Sequence, residues 1–154
     1  MQKNHVRKNK TQKNNMTGYI QILSGVLQGT EEGAGQMNAD FETLRQAIDD
    51  EKVSELSQVD LQKIADNFQR GTDAYEANLN KLEQADAPVR VLGKHKSLVA
   101  AYRTYVEACQ SMTDSIDVEH QAVDQTVFDT AEKTQENAME KVTANTQRIM
   151  NSPM

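Results

Sequence analysis

Few side chains in this sequence are equipped for chemistry, and their spacing limits what each can do. His95 is followed by Tyr102 and Tyr105, seven and ten positions on, which puts all three on one side of a helix. With Tyr75 from an earlier segment they form a candidate crevice (Tyr75, His95, Tyr102, Tyr105). There the imidazole could act as a general base, or the rings could grip a small molecule. The plainer role for the same residues is core packing, with wet hydroxyls and a half-buried histidine at a helix crossing. His120, beside Glu119 and four before Asp124, is the nearest approach to a metal cluster, and a helix would place His120 and Asp124 on one face. Pairs of that kind are common on solvated faces. A ferritin-like di-metal site needs Glu-x-x-His pairs, and no glutamate here has a histidine three positions later. Cys109 is the single cysteine, so no intramolecular disulfide forms; Tyr105, Val106 and Met112 around it mark a small core hydrophobe rather than a reactive thiol. No nucleophile elbow, glycine-rich phosphate loop or His-Glu-x-x-His run occurs. No catalytic, cofactor-binding or metal-ligating residue is therefore assigned, and the chain reads as a non-enzyme without cofactors.

The elements that would have to position these groups are long helices. From Leu61 to Ile149 apolar residues recur at spacings of three and four, interrupted by no glycine cluster and by no proline except Pro88. An earlier signal begins near Thr17 with Tyr19, Ile20, Leu23 and Leu27, and resumes with Met37, Phe41, Leu44 and Ile48. Between them lies Gly29-Thr-Glu-Glu-Gly33-Ala-Gly35. Each glycine costs a helix about 1 kcal/mol relative to alanine, which argues for a break. Gly25, Gly29 and Gly33 at four-residue steps argue instead for a continuous helix with a groove that a neighbour approaches closely, and that reading is preferred. Gly71, in the apolar register between Phe68 and Tyr75, is a further close-packing point.

Asp49 to Ser57 reads as a turn with Ser57 capping the next helix, and Asp86-Ala87-Pro88 opens a third helix after a tight reversal. The third signal then runs from Leu92 to Ile149. Thr113–Asp117 contains neither glycine nor proline, so a continuous or merely kinked helix is preferred there. The expected fold is all-α: an elongated antiparallel three-helix bundle with a long third helix, a four-helix bundle being the alternative. Past Phe128 the apolar register thins. Phe128, Val142 and Ile149 are accordingly expected to form an interaction face for a protein partner or a second copy, so that aspartates there abolish association and leave the bundle folded.

A chain of 154 residues fits one domain. Its 37% apolar and 5% aromatic content, with no tryptophan, implies a thin core, which suits a helical bundle better than an enzyme with a deep pocket. Charge is unevenly placed. Residues 1–15 hold Lys3, Arg7, Lys8, Lys10 and Lys13 without an acid, and removing those five charges from the net −6 leaves −11 on the remainder. An acidic body repels phosphate, so no duplex nucleic acid is expected as a partner. Residues 1–16 are expected to be a basic, unordered arm able to touch an anionic surface, and residues 17–154 a single helical domain. The longest uninterrupted apolar run is Leu98–Tyr102, too short for a membrane span.

The pattern Pro88-x6-His95-Lys96-x-Leu98-x3-Tyr102-x2-Tyr105-x2-Ala108 resembles the helical ectodomains of small Gram-positive surface lipoproteins. That resemblance implies a structural hairpin at a cell surface. The family's signal peptide and lipobox cysteine do not occur in this sequence. The chain is therefore expected outside the cell if an upstream targeting segment has been removed, and in the cytoplasm otherwise. In shape it is also similar to the small secreted hairpins of the WXG type, whose Trp-x-Gly turn has no counterpart here. A non-enzymatic interaction or scaffold module is the expected function, with a small-molecule carrier or enzyme using the crevice near His95, Tyr102 and Tyr105 as the alternative.

Overall fold

Side chains that cap helix ends divide the chain into its elements. The computed structural model describes residues 2–152, with side chains from Met16 onward. Ser57 Oγ accepts the Asp60 N–H at 3.0 Å and opens α2 (Gln58–Gln84). Asp124 Oδ1 accepts the Val127 N–H at 3.2 Å and opens α4 (Gln125–Met150). Between them, α3 (Leu92–Asp114) is entered through a single 3-10 turn at Val89–Val91 behind Pro88, which has no N–H to continue a helix backwards. The first helix, α1 (Gln2–Asp49), runs unbroken through Gly29–Gly35. The arm expected over residues 1–16 lies, Met16 apart, outside the residues whose side chains are described; Met16 itself is buried.

The fold is all-α with four helices, which corrects the long third helix read from periodicity. The chain leaves α3 at Ser115, whose hydroxyl donates to the Met112 carbonyl at 2.6 Å. It then forms a small antiparallel hairpin, β1 (Ile116–Asp117) with β2 (Ala122–Val123), in which Ile116 faces Val123. Asp117 closes the turn by accepting the His120 N–H at 3.1 Å, and Gln121 takes a left-handed φ of 48° without being glycine. What holds Gln121 there is long-range: its side-chain amide donates to the carbonyls of Leu56 at 2.7 Å and Ser54 at 3.3 Å. Gln58 Nε2 donates in turn to the Glu119 carbonyl at 2.9 Å. The break is thus made by bonds to the α1–α2 loop, which a search for glycine or proline does not see.

Each helix runs antiparallel to the next. Against α1, Asn67 Nδ2 donates to Asp40 at 2.8 Å while Tyr75 donates to the Thr30 carbonyl at 3.1 Å, so α2 climbs as α1 descends. Between α2 and α3, Leu82 meets His95 and Gln69 meets Gln110. The closest approach is between α3 and α4, where buried alanines such as Ala101, Ala108, Ala131 and Ala138 carry little bulk. The core lies in two clusters. One gathers Tyr19, Leu23, Leu82, Leu98, Tyr102 and Val142; the other gathers Leu44, Leu61, Phe68, Met112 and Phe128. The space between the clusters is incompletely filled.

Candidate functional site

Glycines bring α1 and α2 close together beside that space. On α1, the core-facing position Gly33 has no side chain, and the Tyr75 ring of α2 lies in the space, 2.8 Å from where a Cβ would be. Met37 lies in the same way against Gly71 of α2. Gly29 accommodates Asn78 at 3.2 Å, whereas Gly25 faces open space and packs against nothing within 4 Å. Of the four glycines expected at close crossings, three stand at one and Gly25 does not. Beside these crossings, Ala34 on α1 and Glu132, Gln135 and Glu136 on α4 border a space that their side chains leave unfilled.

The resulting half-open cavity holds about 250 Å³. Its floor is formed by the buried Phe68, Tyr75, Cys109 and Met112, and its walls by the half-buried Met37, Phe41 and Tyr105. At the rim stand Asn38, Glu132, Gln135 and Glu136. Tyr105, Gln135 and Glu136 also line an open trough that continues along α4 past Met139 to Gln147. Phe41, which lines the cavity, stacks on Phe128 with ring centroids 5.9 Å apart. The Arg45 guanidinium sits 5.2 Å from the Phe128 ring centroid and bonds Asp49 at 2.7 Å, Asp129 at 2.8 Å and Glu132 at 3.1 Å. Its hydrogen bonds to Asp49 and Asp129 raise its pKa further, so it is a permanent cation tying α1 to α4.

The structure divides the crevice expected from spacing. Tyr75 and Tyr105 line the cavity, their rings 5.2 Å apart, and the Tyr75 hydroxyl donates to the Thr30 carbonyl at 3.1 Å. Burial pushes Tyr75 up to about 12 and Tyr105 higher still, so both stay neutral. Tyr102 is fully buried behind them, its hydroxyl 2.7 Å from Thr30 Oγ1 and accepting from Asn78 Nδ2 at 3.3 Å. His95 lies in the other direction, away from the cavity. Its Nε2 donates to the Leu82 carbonyl at 2.9 Å, which leaves Nδ1 to accept from the Tyr19 hydroxyl at 2.8 Å. Desolvation lowers its pKa, and the histidine is a neutral, doubly bonded core residue rather than a base facing a ligand.

Phe128, Val142 and Ile149 have no solvent exposure at all. They are the apolar face by which α4 closes the chain's own core, and this corrects their reading as a face for a partner. The register past Phe128 looked thin because alanines fill it, and alanines are what α4 needs to approach α3. His120 and Asp124 do not share a helix, since His120 lies in the hairpin and pairs with Asp117 at 2.8 Å. Cys109 lines the cavity floor, and burial pushes its thiol up to about 12, which leaves almost no thiolate near neutral pH. Among the described residues no group of three His, Cys, Asp or Glu is placed to hold a metal, and no helix is long and apolar enough to cross a membrane.

No protein-family model matches this chain, and no curated protein or solved structure matches it significantly. The site therefore rests on its geometry. Residues that spacing did not single out as ligand-facing, Met37, Phe41, Phe68, Met112, Glu132 and Glu136, make most of it. These residues are scattered over all four helices, and what they enclose shows only once the helices are paired.

Proposed function

We propose that this chain is a non-enzymatic helical binding protein, an antiparallel four-helix bundle that holds a small molecule in the cavity between α1 and α4. The observation that carries the reading is the cavity itself, because interiors of this kind are ordinarily packed without space for more than a water. At about 250 Å³ it falls just below the ~300 Å³ at which drug-sized pockets begin, which suits a single ring with a short chain. Nothing at its floor is a nucleophile or a base: the thiol and both phenols are held neutral by burial. The resemblance of Pro88–Ala108 to lipoprotein ectodomains supports, as part of the same proposal, a location at a cell surface if an upstream targeting segment is removed, and a cytoplasmic one otherwise. A titration of methyl-labelled methionines with indole, a neutral ring of suitable size, tests it. The Met37 and Met112 methyl signals should move saturably while that of Met150, exposed at the far end of α4, stays still. Ala34→Trp, which fills the mouth from an exposed position on α1, should abolish the shifts and keep the helical content. Methionine signals indifferent to millimolar indole would overturn the reading.

A further inference from the structure

We infer that the cavity selects an organic cation, a ring or short apolar body bearing one ammonium group; this rests on the ligand-binding reading above. The enclosed part offers thioether and aromatic surface, from Met37, Phe41, Tyr75 and Tyr105, and a neutral body is what such surface takes. Selection by charge arises where enclosed space meets the open trough. The residues shared by both are Tyr105, Gln135 and Glu136, so a ligand seated ring-inward places its polar end beside the Glu136 carboxylate and the Tyr105 ring. Faces of aromatic rings attract cations, and most strongly where water is partly excluded.

The surrounding charges favour the same sign. Neither the cavity nor the trough is lined by a lysine, arginine or histidine among the described residues. Arg45, which bonds the rim residue Glu132, is already shared among Asp49, Asp129 and Glu132, one positive charge for three negative ones. Glu136 is not among the ion pairs or hydrogen-bonded groups of the described residues, so its carboxylate is available to a ligand. Farther along the trough Glu140 adds a further acid. An anionic ligand would meet repulsion from every carboxylate at the mouth, and a neutral one would gain nothing from them.

Calorimetric titration with three phenyl-alkyl ligands of similar size, 2-phenylethylammonium, neutral 2-phenylethanol and anionic phenylacetate, tests the inference on the intact chain. The ammonium should bind about tenfold tighter than the alcohol, the anion weakest, with the advantage shrinking as salt is raised. Glu136→Gln, at an exposed position that leaves the core untouched, should reduce the advantage, and Glu136→Lys should remove it while binding of the alcohol persists. Alcohol binding as tightly as the ammonium, or an ammonium preference unchanged in Glu136→Lys, would overturn the cation inference and leave the binding reading standing. Failure of all three ligands to bind would overturn both.

Discussion

His95 shows how a residue type that invites a catalytic reading becomes a structural one. Both ring nitrogens are taken, Nε2 by the Leu82 carbonyl and Nδ1 by the Tyr19 hydroxyl, so a proton added at Nδ1 would turn an acceptor into a donor in a desolvated place. Because the folded pKa lies below the ordinary 6.5, the unfolded chain takes up the proton first as pH falls. Stability from this group is therefore complete above about pH 6.5 and lost below it, with a slope of at most ~1.4 kcal/mol per pH unit. Urea unfolding followed between pH 5 and 7.5 should show that loss, and His95→Gln should flatten the curve in this window. An unflattened curve would assign the loss to carboxylates. The same reasoning explains Cys109: its apolar neighbours were legible in the sequence, and burial makes it inert even though it lines a cavity. Glu136 was one exposed helical acid among many, and nothing in its own neighbourhood of sequence marked it. Its position at the junction of cavity and trough comes from pairing α4 with α1 and α3.

At the scale of elements, the reading of capping residues was sound where the signal is local. Ser57 caps α2 through the Asp60 N–H, and Pro88 precedes the turn into α3. Gly29–Gly35 continues as helix, since tertiary packing outweighs glycine's unfavourable propensity. Whether each glycine faces a neighbour was not local information, and a pair of substitutions separates the two cases. Gly25→Ala meets open space and should raise stability by about 0.5–1 kcal/mol through propensity alone. Gly33→Ala places a methyl 2.8 Å from the Tyr75 ring and should lower stability by about 1–3 kcal/mol, because that ring is fully buried and bonded to Thr30. Denaturant midpoints of the two variants decide it, and equal gains would mean that Tyr75 yields freely. The hairpin between α3 and α4 is the opposite case. Its residues carry an apolar rhythm that also fits a helix, and only the bonds from Gln121 and Gln58 across to the neighbouring loop select the break.

For the whole molecule, α4 is an internal wall. Phe128 has no exposure, stacks on Phe41 and lies under Arg45, so Phe128→Ala should cost about 3–5 kcal/mol, a large share of the ~5–15 kcal/mol that holds a typical domain. Aspartates at Phe128, Val142 and Ile149 together should unfold the chain, with loss of helical circular dichroism. A folded triple variant with altered association would restore these residues as a partner face. The sequence by itself determined that the chain is helical, which residues are apolar enough to be buried, and that Ser57 caps α2, because these depend on neighbours within a turn or two; the cap of α4 at Asp124 was hidden by an apolar rhythm that reads as continuous helix. It also determined the excess of acid over base past residue 15, and with it the sign of charge that the body presents. Only the tertiary structure decided that the apolar face of α4 turns inward, that the third helix ends at Asp114, and that a cavity opens beside Tyr105. Each of those is set by volume and hydrogen bonds shared between residues dozens of positions apart, which no neighbourhood of sequence contains.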